Sequence, residues 1–275
     1  MLRFTILGSG SSGNCALVES GTTRILVDAG FSARQIARRL EPMGLNIKDI
    51  GGILLTHEHS DHTAGLRVLC GKHNLPLYCN RLTAECLRDG LSAFAGWRLF
   101  ATGDRLLIGD LSVETFPVPH DASDPVGFVL ENDGARVGFL TDLGHATELV
   151  IERIRRCQIV VLEANHDLAL LHSDARRPWS VKQRILSRHG HLSNESAAGV
   201  LRRVVHADLS HLFLGHLSSD CNTPELALAA IGAVIDELGL RGQIQIHAAH
   251  QDRPSERITV GEAKLEAANK EGLAV

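Results

Sequence analysis

The chain has 275 residues, of which 44% are apolar and 22% charged, a composition typical of a globular protein with a buried core. The formal net charge of -4 excludes a polyanion-binding surface spread over the whole chain, so any nucleic-acid site must be local. No apolar run approaches the roughly 20 residues that span a bilayer, and the N-terminal strand is too short for a signal peptide. The six cysteines form no C-x-x-C pair, which favours free thiols in a reducing compartment. We therefore expect a cytoplasmic protein without a membrane partner.

The first predicted strand, residues 2–7, leads into a segment of small residues that we call the glycine–serine loop, residues 8–14. Glycine lets a backbone approach a ligand closely, and Ser11 and Asn14 are candidate substrate contacts there. A plain flexible turn explains the same composition equally well. Strands at residues 15–19 and 23–27 form a predicted hairpin. The hairpin ends at Asp28, which either supports a metal site or caps a helix over residues 32–40.

The densest cluster of chemically active side chains follows a short apolar strand at residues 53–55. It reads Thr56-His57-Glu58-His59-Ser60-Asp61-His62. The strand fixes where this loop points, so its three imidazoles and the Asp61 carboxylate can converge. Such tight spacing is typical of metal ligands rather than of a solvated polar loop.

Strands that end in histidine or aspartate recur along the chain. Predicted strands at residues 111–118, 136–140, 159–162 and 211–214 are followed by His120, Asp142, His166 and His216. The candidate metal ligands are therefore His57, His59, Asp61, His62, His120, Asp142 and His216. Nitrogen and oxygen ligands without cysteine suit zinc, manganese or iron. Seven ligands exceed the needs of one tetrahedral ion but suit two divalent ions that share a carboxylate.

Strands occur both in hairpins and in alternation with helices, which predicts mixed sheets with helices outside and an α/β (α+β) fold. No linker or low-complexity segment divides the chain, so we expect a single domain over residues 1–275 with a peripheral tail from about residue 251. Helices are predicted over residues 63–73, from a cap at Ser193 or Asn194 to about residue 205, and over residues 224–238 behind the cap Thr223. The last predicted strand covers residues 243–247.

The most basic stretch is residues 175–193, which contain no acidic side chain. We call residues 176–188 the basic segment. Its predicted substrate contacts are Arg176, Arg177, Trp179, Lys182 and Arg184, with His166 and Ser193 nearby. Arginine and lysine would meet phosphates, and Trp179 could stack on a base. The alternative is a solvated basic loop with Trp179 packed into the core. His166 could equally support a ligand or be a turn residue, and His191 could be an ordinary residue at a helix start.

The stretch His57-x-His59-x-Asp61-His62 resembles the HxHxDH signature of the metallo-β-lactamase superfamily. His120, Asp142 and His216 follow in the order that this superfamily uses. The resemblance covers nearly the whole chain and implies a four-layer αββα sandwich, the metallo-β-lactamase fold, with its metal site at one edge. It implies that one ion is held by His57, His59 and His120, and a second by Asp61, His62 and His216, with Asp142 bridging.

Further segments resemble the YycJ/WalJ-like branch of that superfamily, whose characterised members are 5′-to-3′ exodeoxyribonucleases. These segments are the glycine–serine loop and residues 163–167, 178–180 and 190–195. Residues 190–195, followed by residues 215–218, are also similar to the end of the tRNA 3′-processing nucleases (RNase Z), where the matching histidine lies near the scissile phosphate. The sequence shows no long inserted arm of the RNase Z type and no β-CASP domain, which disfavours tRNA processing.

The leading hypothesis is hydrolysis of phosphodiester bonds with two divalent ions, and DNA is favoured over RNA as the partner. Asp61 would orient or deprotonate the attacking water, and His191 would protonate the leaving oxygen or clamp the phosphate. The alternatives are hydrolysis of a small ester, thioester, lactone or cyclic phosphodiester, an RNase Z-like ribonuclease, and a metal-dependent binding protein without turnover. The sequence leaves open the metal, exonuclease versus endonuclease action, and whether the protein is a homo-oligomer.

Overall fold

The computed structural model describes residues 1–261, which form two seven-stranded sheets. The strands are β1 (Leu2–Gly8), β2 (Cys15–Glu19), β3 (Arg24–Val27), β4 (Gly52–Leu54), β5 (Leu77–Asn80), β6 (Trp97–Phe100), β7 (Arg105–Ile108), β8 (Leu111–Pro117), β9 (Val126–Asn132), β10 (Ala135–Leu140), β11 (Ile159–Glu163), β12 (His211–Gly215), β13 (Gln245–Ala248) and β14 (Ile258–Val260). The first sheet has the order β14-β1-β2-β3-β4-β5-β6, and the second has the order β13-β12-β11-β10-β9-β8-β7.

The α-helices of the described residues are α1 (Ala33–Leu40), α2 (Ser60–Thr63), α3 (Leu66–Gly71), α4 (Arg81–Leu87), α5 (Glu148–Ile154), α6 (Leu168–Ser173), α7 (Trp179–Ile185), α8 (Asn194–Val204) and α9 (Pro224–Glu237). Side-chain oxygens of Ser32, Ser193 and Thr223 accept hydrogen bonds from first-turn backbone amides of α1, α8 and α9, which fixes where these helices begin. Within residues 1–261, no helix combines the length and the apolar content that a membrane crossing requires.

Three apolar clusters separate four layers of secondary structure. One cluster lies between the sheets and includes Ile25 of β3 and Val161 of β11. The neighbouring strand residues Leu26 and Leu162 point the opposite way, each into a cluster shared with the helices outside its own sheet. Because successive side chains alternate across a strand, both faces of the central strands are buried, which requires nearly continuous apolar sequence. The predicted αββα sandwich is confirmed.

The loops that carry the candidate ligands meet at one edge of the sandwich. Strands β3 to β6 run parallel in the first sheet, and strands β10 to β13 run parallel in the second. The C-terminal ends of parallel strands lie at the same edge of a sheet, so the residues after β3, β4, β10 and β12 are brought together there.

Several elements differ from the prediction. The C-terminal segment is not peripheral from residue 251, because β14 pairs antiparallel with β1 and the backbone N–H of Ser255 donates to the carbonyl of Ile6 at 2.8 Å. The rest of the predicted tail, residues 262–275, lies outside the described residues. The predicted helix over residues 63–73 is split into α2 and α3 at Gly65, whose N–H donates to the carbonyl of Ala29. The short edge strands β6, β7 and β14 were not predicted, because edge strands carry little apolar pattern. All six cysteines are free.

Candidate metal centre

Three histidines supply the first group of ligand atoms. His57 and His59 follow β4 in the first sheet, whereas His120 follows β8 in the second. One ring nitrogen from each lies within 4.8 Å of the other two, and His120 Nε2 is 3.3 Å from His59 Nδ1. His57 is buried, and its Nε2 has no hydrogen-bond partner in the described part of the chain. A buried polar atom without a partner is costly, so this nitrogen is placed to bind something else.

Asp61, His62, Asp142 and His216 supply the second group, again within 4.8 Å of one another. His62 Nε2 lies 3.1 Å from Asp142 Oδ2, and His216 Nε2 lies 3.2 Å from Asp61 Oδ2. Asp142 Oδ1 lies 3.4 Å from His216 Nε2 and 3.8 Å from His120 Nε2. The Asp142 carboxylate therefore stands between the two groups.

The spacing of these atoms fits a divalent metal. Tetrahedral ligand atoms at about 2.0–2.1 Å from a zinc ion lie roughly 3.3 Å apart, close to the separations in both groups. Asp142 Oδ2 forms no hydrogen bond within residues 1–261 although His62 Nε2 is only 3.1 Å away. The buried His62 nitrogen and Asp142 oxygen are thus close enough to be ligands of one ion. The structure brings the predicted ligands together in these two groups, a donor set that suits divalent metal binding.

Three residues at the centre hold a left-handed backbone conformation. The φ angles are 61° at Asp28, 55° at Asp142 and 54° at His216. This conformation is uncommon for residues other than glycine and costs on the order of 1–3 kcal/mol when the surroundings must enforce it. All three residues directly follow, or nearly follow, a strand, and their side chains meet the ligand groups. The strained turns are thus part of how the fold aims these side chains.

Hydrogen bonds behind the histidines fix their ring orientation. Asp28 Oδ2 is 2.8 Å from His62 Nδ1, and Asp28 Oδ1 accepts from the Thr56 N–H at 2.9 Å. The Thr56 hydroxyl lies 3.0 Å from His57 Nδ1. The carbonyl of Gly190 lies 3.1 Å from His120 Nδ1. Each contact leaves the opposite ring nitrogen for the metal, which is how supporting groups tune a metal site. Of the two roles considered for Asp28, the structure shows the support of a ligand, since Ser32 caps α1.

The glycine–serine loop reaches the centre through Asn14. The Asn14 N–H donates to the Asp61 carbonyl at 2.8 Å, and its side-chain amide donates to Asp61 Oδ2 at 3.2 Å. Gly30 makes this approach feasible, because a Cβ there would lie 1.6 Å from the Asp61 carbonyl oxygen. Asn14, a predicted substrate contact, is buried and positions Asp61. Ser11 is exposed on the same loop.

Glu163 is a site residue that was not predicted from the sequence. This carboxylate is fully buried at the end of β11, and its Oε1 lies 2.8 Å from His216 Nδ1 and 2.7 Å from His191 Nδ1. Its Oε2 accepts from the backbone N–H groups of Leu143 and Leu192. Glu163 therefore orients one ligand and the proposed acid together. Its position at a strand end, next to a histidine-rich segment, was the available signal.

The two ligand groups differ in their electrostatics. Burial, with the neighbouring imidazoles, holds the pKa of His57 well below its usual range, so this ring stays neutral. Burial also opposes charge on His216, but Asp142, Asp61 and Glu163 raise the pKa of that ring to about 10. A ligand histidine must be neutral, so a metal that binds His216 displaces a proton. Despite its burial, Glu163 has its pKa lowered to about 2 by His191 and His216.

Three further predicted substrate contacts, Lys182, Ser193 and His166, have buried side chains. The Lys182 ammonium is buried and donates from Nζ to the His172 carbonyl at 2.7 Å, a hydrogen bond within the fold. The Ser193 hydroxyl caps α8. His166 is 1% exposed, and burial lowers its pKa to about 4, so it stays neutral and cannot clamp a phosphate by charge.

Three of the four arginines of the basic segment form ion pairs with carboxylates, whereas Arg188 Nη2 lies 3.0 Å from His145 Nε2. Arg176 and Arg177 both pair with Asp174 and with Asp220. The distance to Asp220 is 3.0 Å from Arg176 Nη2 and 2.8 Å from Arg177 Nη2. Arg184 pairs with Asp121, which follows the ligand His120. Residues 179–185 form α7 rather than a loop, and Trp179 is 58% exposed at its start, not in the core. The segment is therefore less positive than its sequence predicts.

A four-layer αββα sandwich with a histidine and aspartate metal site at one sheet edge defines a class of metal-dependent hydrolases. The family model described as the beta-lactamase superfamily domain matches residues 23–216, so the chain belongs to the metallo-β-lactamase superfamily.

Individual relatives give a finer comparison than the family model does. The chain is 38% identical to Exodeoxyribonuclease YycJ of Bacillus anthracis over 86% of this chain and 90% of the relative. It is 36% identical to Exodeoxyribonuclease WalJ of Streptococcus pneumoniae over 82% of this chain and 85% of the relative. Ribonuclease Z of Mycobacterium bovis is 28% identical over only 50% of this chain. The metallo-beta-lactamase fold protein YhfI of Bacillus subtilis superposes with a TM-score of 0.71 at 15% identity, over 93% of this chain and all of that one, which supports the fold alone.

Proposed function

We propose that the protein is an exodeoxyribonuclease that hydrolyses DNA in the 5′-to-3′ direction with two divalent ions, zinc or manganese, with iron as a further option. One observation carries this proposal. Two ligand groups lie side by side in the fold, and the Asp142 carboxylate contacts both of them. The similarity to relatives named exodeoxyribonucleases, over most of both chains, supports DNA as the substrate.

His57, His59 and His120 would hold one ion, and Asp61, His62 and His216 the other, with Asp142 between them. Bound there, divalent ions would lower the pKa of water and offset the charge that develops on a phosphate. The ligand residues lie at the edge where both sheets end, and the side chain of Asp61 remains 21% exposed. An extended polymer end can therefore reach this centre without a deep cleft.

Asp61 and His191 have separate roles in this proposal. Asp61 is held by Asn14 and His216, and its exposed edge can orient or accept a proton from the attacking water. His191 has Nδ1 bonded to Glu163, which leaves Nε2 to give a proton to the leaving 3′-oxygen. Burial opposes charge on His191, but Glu163 raises its pKa, so the ring can carry that proton near neutral pH.

A substrate screen tests the proposal. Metal-loaded protein is given single- and double-stranded DNA labelled at either end, RNA, and bis-p-nitrophenyl phosphate, and products are resolved by length. We expect DNA shortened stepwise from its 5′ end, with at least a ~100-fold loss in His59→Ala, because even a supporting partner of a metal ligand contributes about 10–100-fold.

Each of the other possible results of the screen would favour a different function or refute the metal mechanism. Cleavage of the small diester without any polymer would favour a small-molecule hydrolase, and preferential cleavage of RNA would favour an RNase Z-like enzyme. DNA binding without turnover would favour a metal-dependent binding protein. Full turnover by a folded His59→Ala variant would refute the metal mechanism. His59 is only half-buried, so circular dichroism should show that this variant folds.

A further inference from the structure

A positively charged site lies beside the glycine–serine loop, outside the metal centre. It is a cavity of about 520 Å³ between α1 and residues 251–254. Three arginines line it, Arg38, Arg39 and Arg253, and Asp252 is the one acidic residue in its described lining. We call this cavity the arginine pocket. Arg39 and Arg253 are 214 residues apart in the chain, so no continuous run of charged residues in the sequence indicates this pocket.

Arg39 is held in place without an ion pair to any carboxylate of the described residues. Its guanidinium carbon lies 3.6 Å from the centroid of the Phe31 ring, and Nη2 donates to the Gln251 carbonyl at 2.9 Å. Nη1 is buried and has no hydrogen-bond partner among residues 1–261. Arg39 is half-buried and Asp252 lies near it without forming an ion pair, so the Arg39 charge adds to the positive potential of the cavity.

The other two arginines are exposed at the rim. Arg253 approaches Asp252 only at 4.0 Å, with both side chains mostly in solvent, and lies 2.9 Å from His250 Nε2. Arg38 makes no ion pair within the described range of the chain. Exposed pairs of this kind contribute little, so both guanidinium groups remain available to a phosphate.

A smaller cavity adjoins the arginine pocket and lies next to the segment that carries the ligand His216. It measures about 260 Å³ and shares Ser12 and Gln251 with the arginine pocket. Its lining includes Leu217, the residue after the ligand His216, and the hydroxyl-bearing residues Ser11, Ser12 and Thr223. Hydroxyl groups, and the N-terminus of α9 that Thr223 caps, are suited to phosphate oxygens.

The wall between the two cavities is held rigidly. Gln251 Oε1 accepts from the Ser12 N–H at 2.9 Å, and Gln251 Nε2 donates to the Gly13 carbonyl at 2.8 Å. These bonds tie the glycine–serine loop to the C-terminal segment that ends in β14. A rigid track binds a flexible polymer with less loss of entropy in the protein than a mobile loop would.

We propose that the arginine pocket binds a backbone phosphate of the DNA strand whose end lies at the metal centre, and that the hydroxyl-lined cavity carries the strand between them. This inference rests on the proposed function. It assigns the strand to the glycine–serine loop side of the centre and not to the basic segment.

The test compares two double variants with the same loss of charge. Arg38→Gln with Arg253→Gln removes the rim charges and leaves Arg39 in place. Arg34→Gln with Arg98→Gln is the matched control, because both arginines are exposed and line neither cavity. Binding of metal-loaded protein to a phosphorothioate single strand of about 20 nucleotides is measured by anisotropy against salt concentration.

We expect the pocket variant to bind about tenfold more weakly and to lose about 0.7–1.4 from the slope of log affinity against log salt, since each neutralised phosphate contributes about 0.7. The control variant should stay within about twofold of wild type. Hydrolysis of bis-p-nitrophenyl phosphate, which is too small to reach the pocket, should be equal in all three proteins.

The outcomes separate the inference from the proposed function. If wild-type protein degrades DNA and the pocket variant binds like the control, the inference alone is overturned. If wild-type protein neither binds nor degrades DNA, both fall. Loss of small-diester hydrolysis in the pocket variant would also overturn the inference, because the arginines would then act on the metal centre itself.

Discussion

The metal centre and the basic segment are both rich in ionisable side chains, but these side chains differ in whether they have partners within the fold. At the metal centre, His57 Nε2 and Asp142 Oδ2 are buried without hydrogen-bond partners in the described residues. In the basic segment, Arg176, Arg177 and Arg184 each have a carboxylate partner. Buried atoms without partners that are grouped with other ligand atoms suit an ion, whereas matched exposed charges serve local structure.

The same contrast explains why the arginine pocket, and not the basic segment, is the better candidate for DNA contact. A salt-bridged arginine must give up its carboxylate before it neutralises a phosphate, and this exchange returns little free energy. Arg39 forms no ion pair within residues 1–261, so it has no such partner to give up there. What attracts a polyanion is the local excess of charge after internal pairing, not the number of arginines in a stretch of sequence.

The largest effect is expected where the metal centre depends on close backbone packing. Gly30→Ala would place a methyl group 1.6 Å from the Asp61 carbonyl oxygen, so the loop that carries Asp61 and His62 must move. We expect loss of about 1–3 kcal/mol in the free energy of unfolding, as for other overpacked sites, together with a fall in bound metal and in nuclease activity. Urea unfolding and metal analysis of the purified variant would check this.

Gly199→Ala provides the matched control. Gly199 lies within α8, and a Cβ there would meet no other atom within 4 Å. This substitution should raise the free energy of unfolding by about 0.5–1 kcal/mol and leave metal content unchanged. Equal behaviour of the two variants would contradict the close approach of Gly30 to the Asp61 loop.

A smaller effect is expected for Glu163→Gln, which keeps the shape of the side chain and removes its charge. Activity should fall about 10–100-fold, as for other partners that support a ligand. Glu163 raises the pKa of His191 against the effect of burial, so the variant should hold the His191 proton less well. An acid must be protonated to act, so the alkaline limb of the pH–rate profile should move to lower pH. Glu195→Gln, at an exposed site, should leave the profile unchanged. An unshifted alkaline limb in Glu163→Gln would remove His191 from the role of acid.

The fold was predictable because short, periodic sequence patterns determine where its strands and helices form. Short apolar strands buried on both faces, such as residues 53–55, and helices with clear caps such as Thr223 define the layers. The ligand cluster His57 to His62 lies in a single loop, and every other ligand follows a strand, so strand ends at one edge bring them together. Edge strand β14 was missed because three residues in a polar context carry almost no pattern.

What could not be predicted depends on contacts between distant residues. The role of Glu163 requires that His191 and His216, 28 and 53 residues away, meet the same oxygen. Burial of Lys182 depends on the His172 carbonyl, and a lysine in a basic stretch gives no sign of it. The ion pair of Arg184 with Asp121 spans 63 residues, so the sequence shows the charge of one partner without the other.

The smallest effect is expected from neutralising the basic segment. Replacement of Arg176, Arg177 and Arg184 together by glutamine should change affinity for single-stranded DNA by no more than about threefold, because each lost charge was already balanced by Asp174, Asp220 or Asp121. The salt slope should stay close to that of wild type, whereas the variant that lacks the rim charges of the arginine pocket should show a clear decrease. A tenfold loss of affinity with a reduced slope would instead make the basic segment a DNA-binding surface. Trp179→Ala in the same background would then show whether its exposed ring adds a stacking contact, which typically contributes about 1–3 kcal/mol per base.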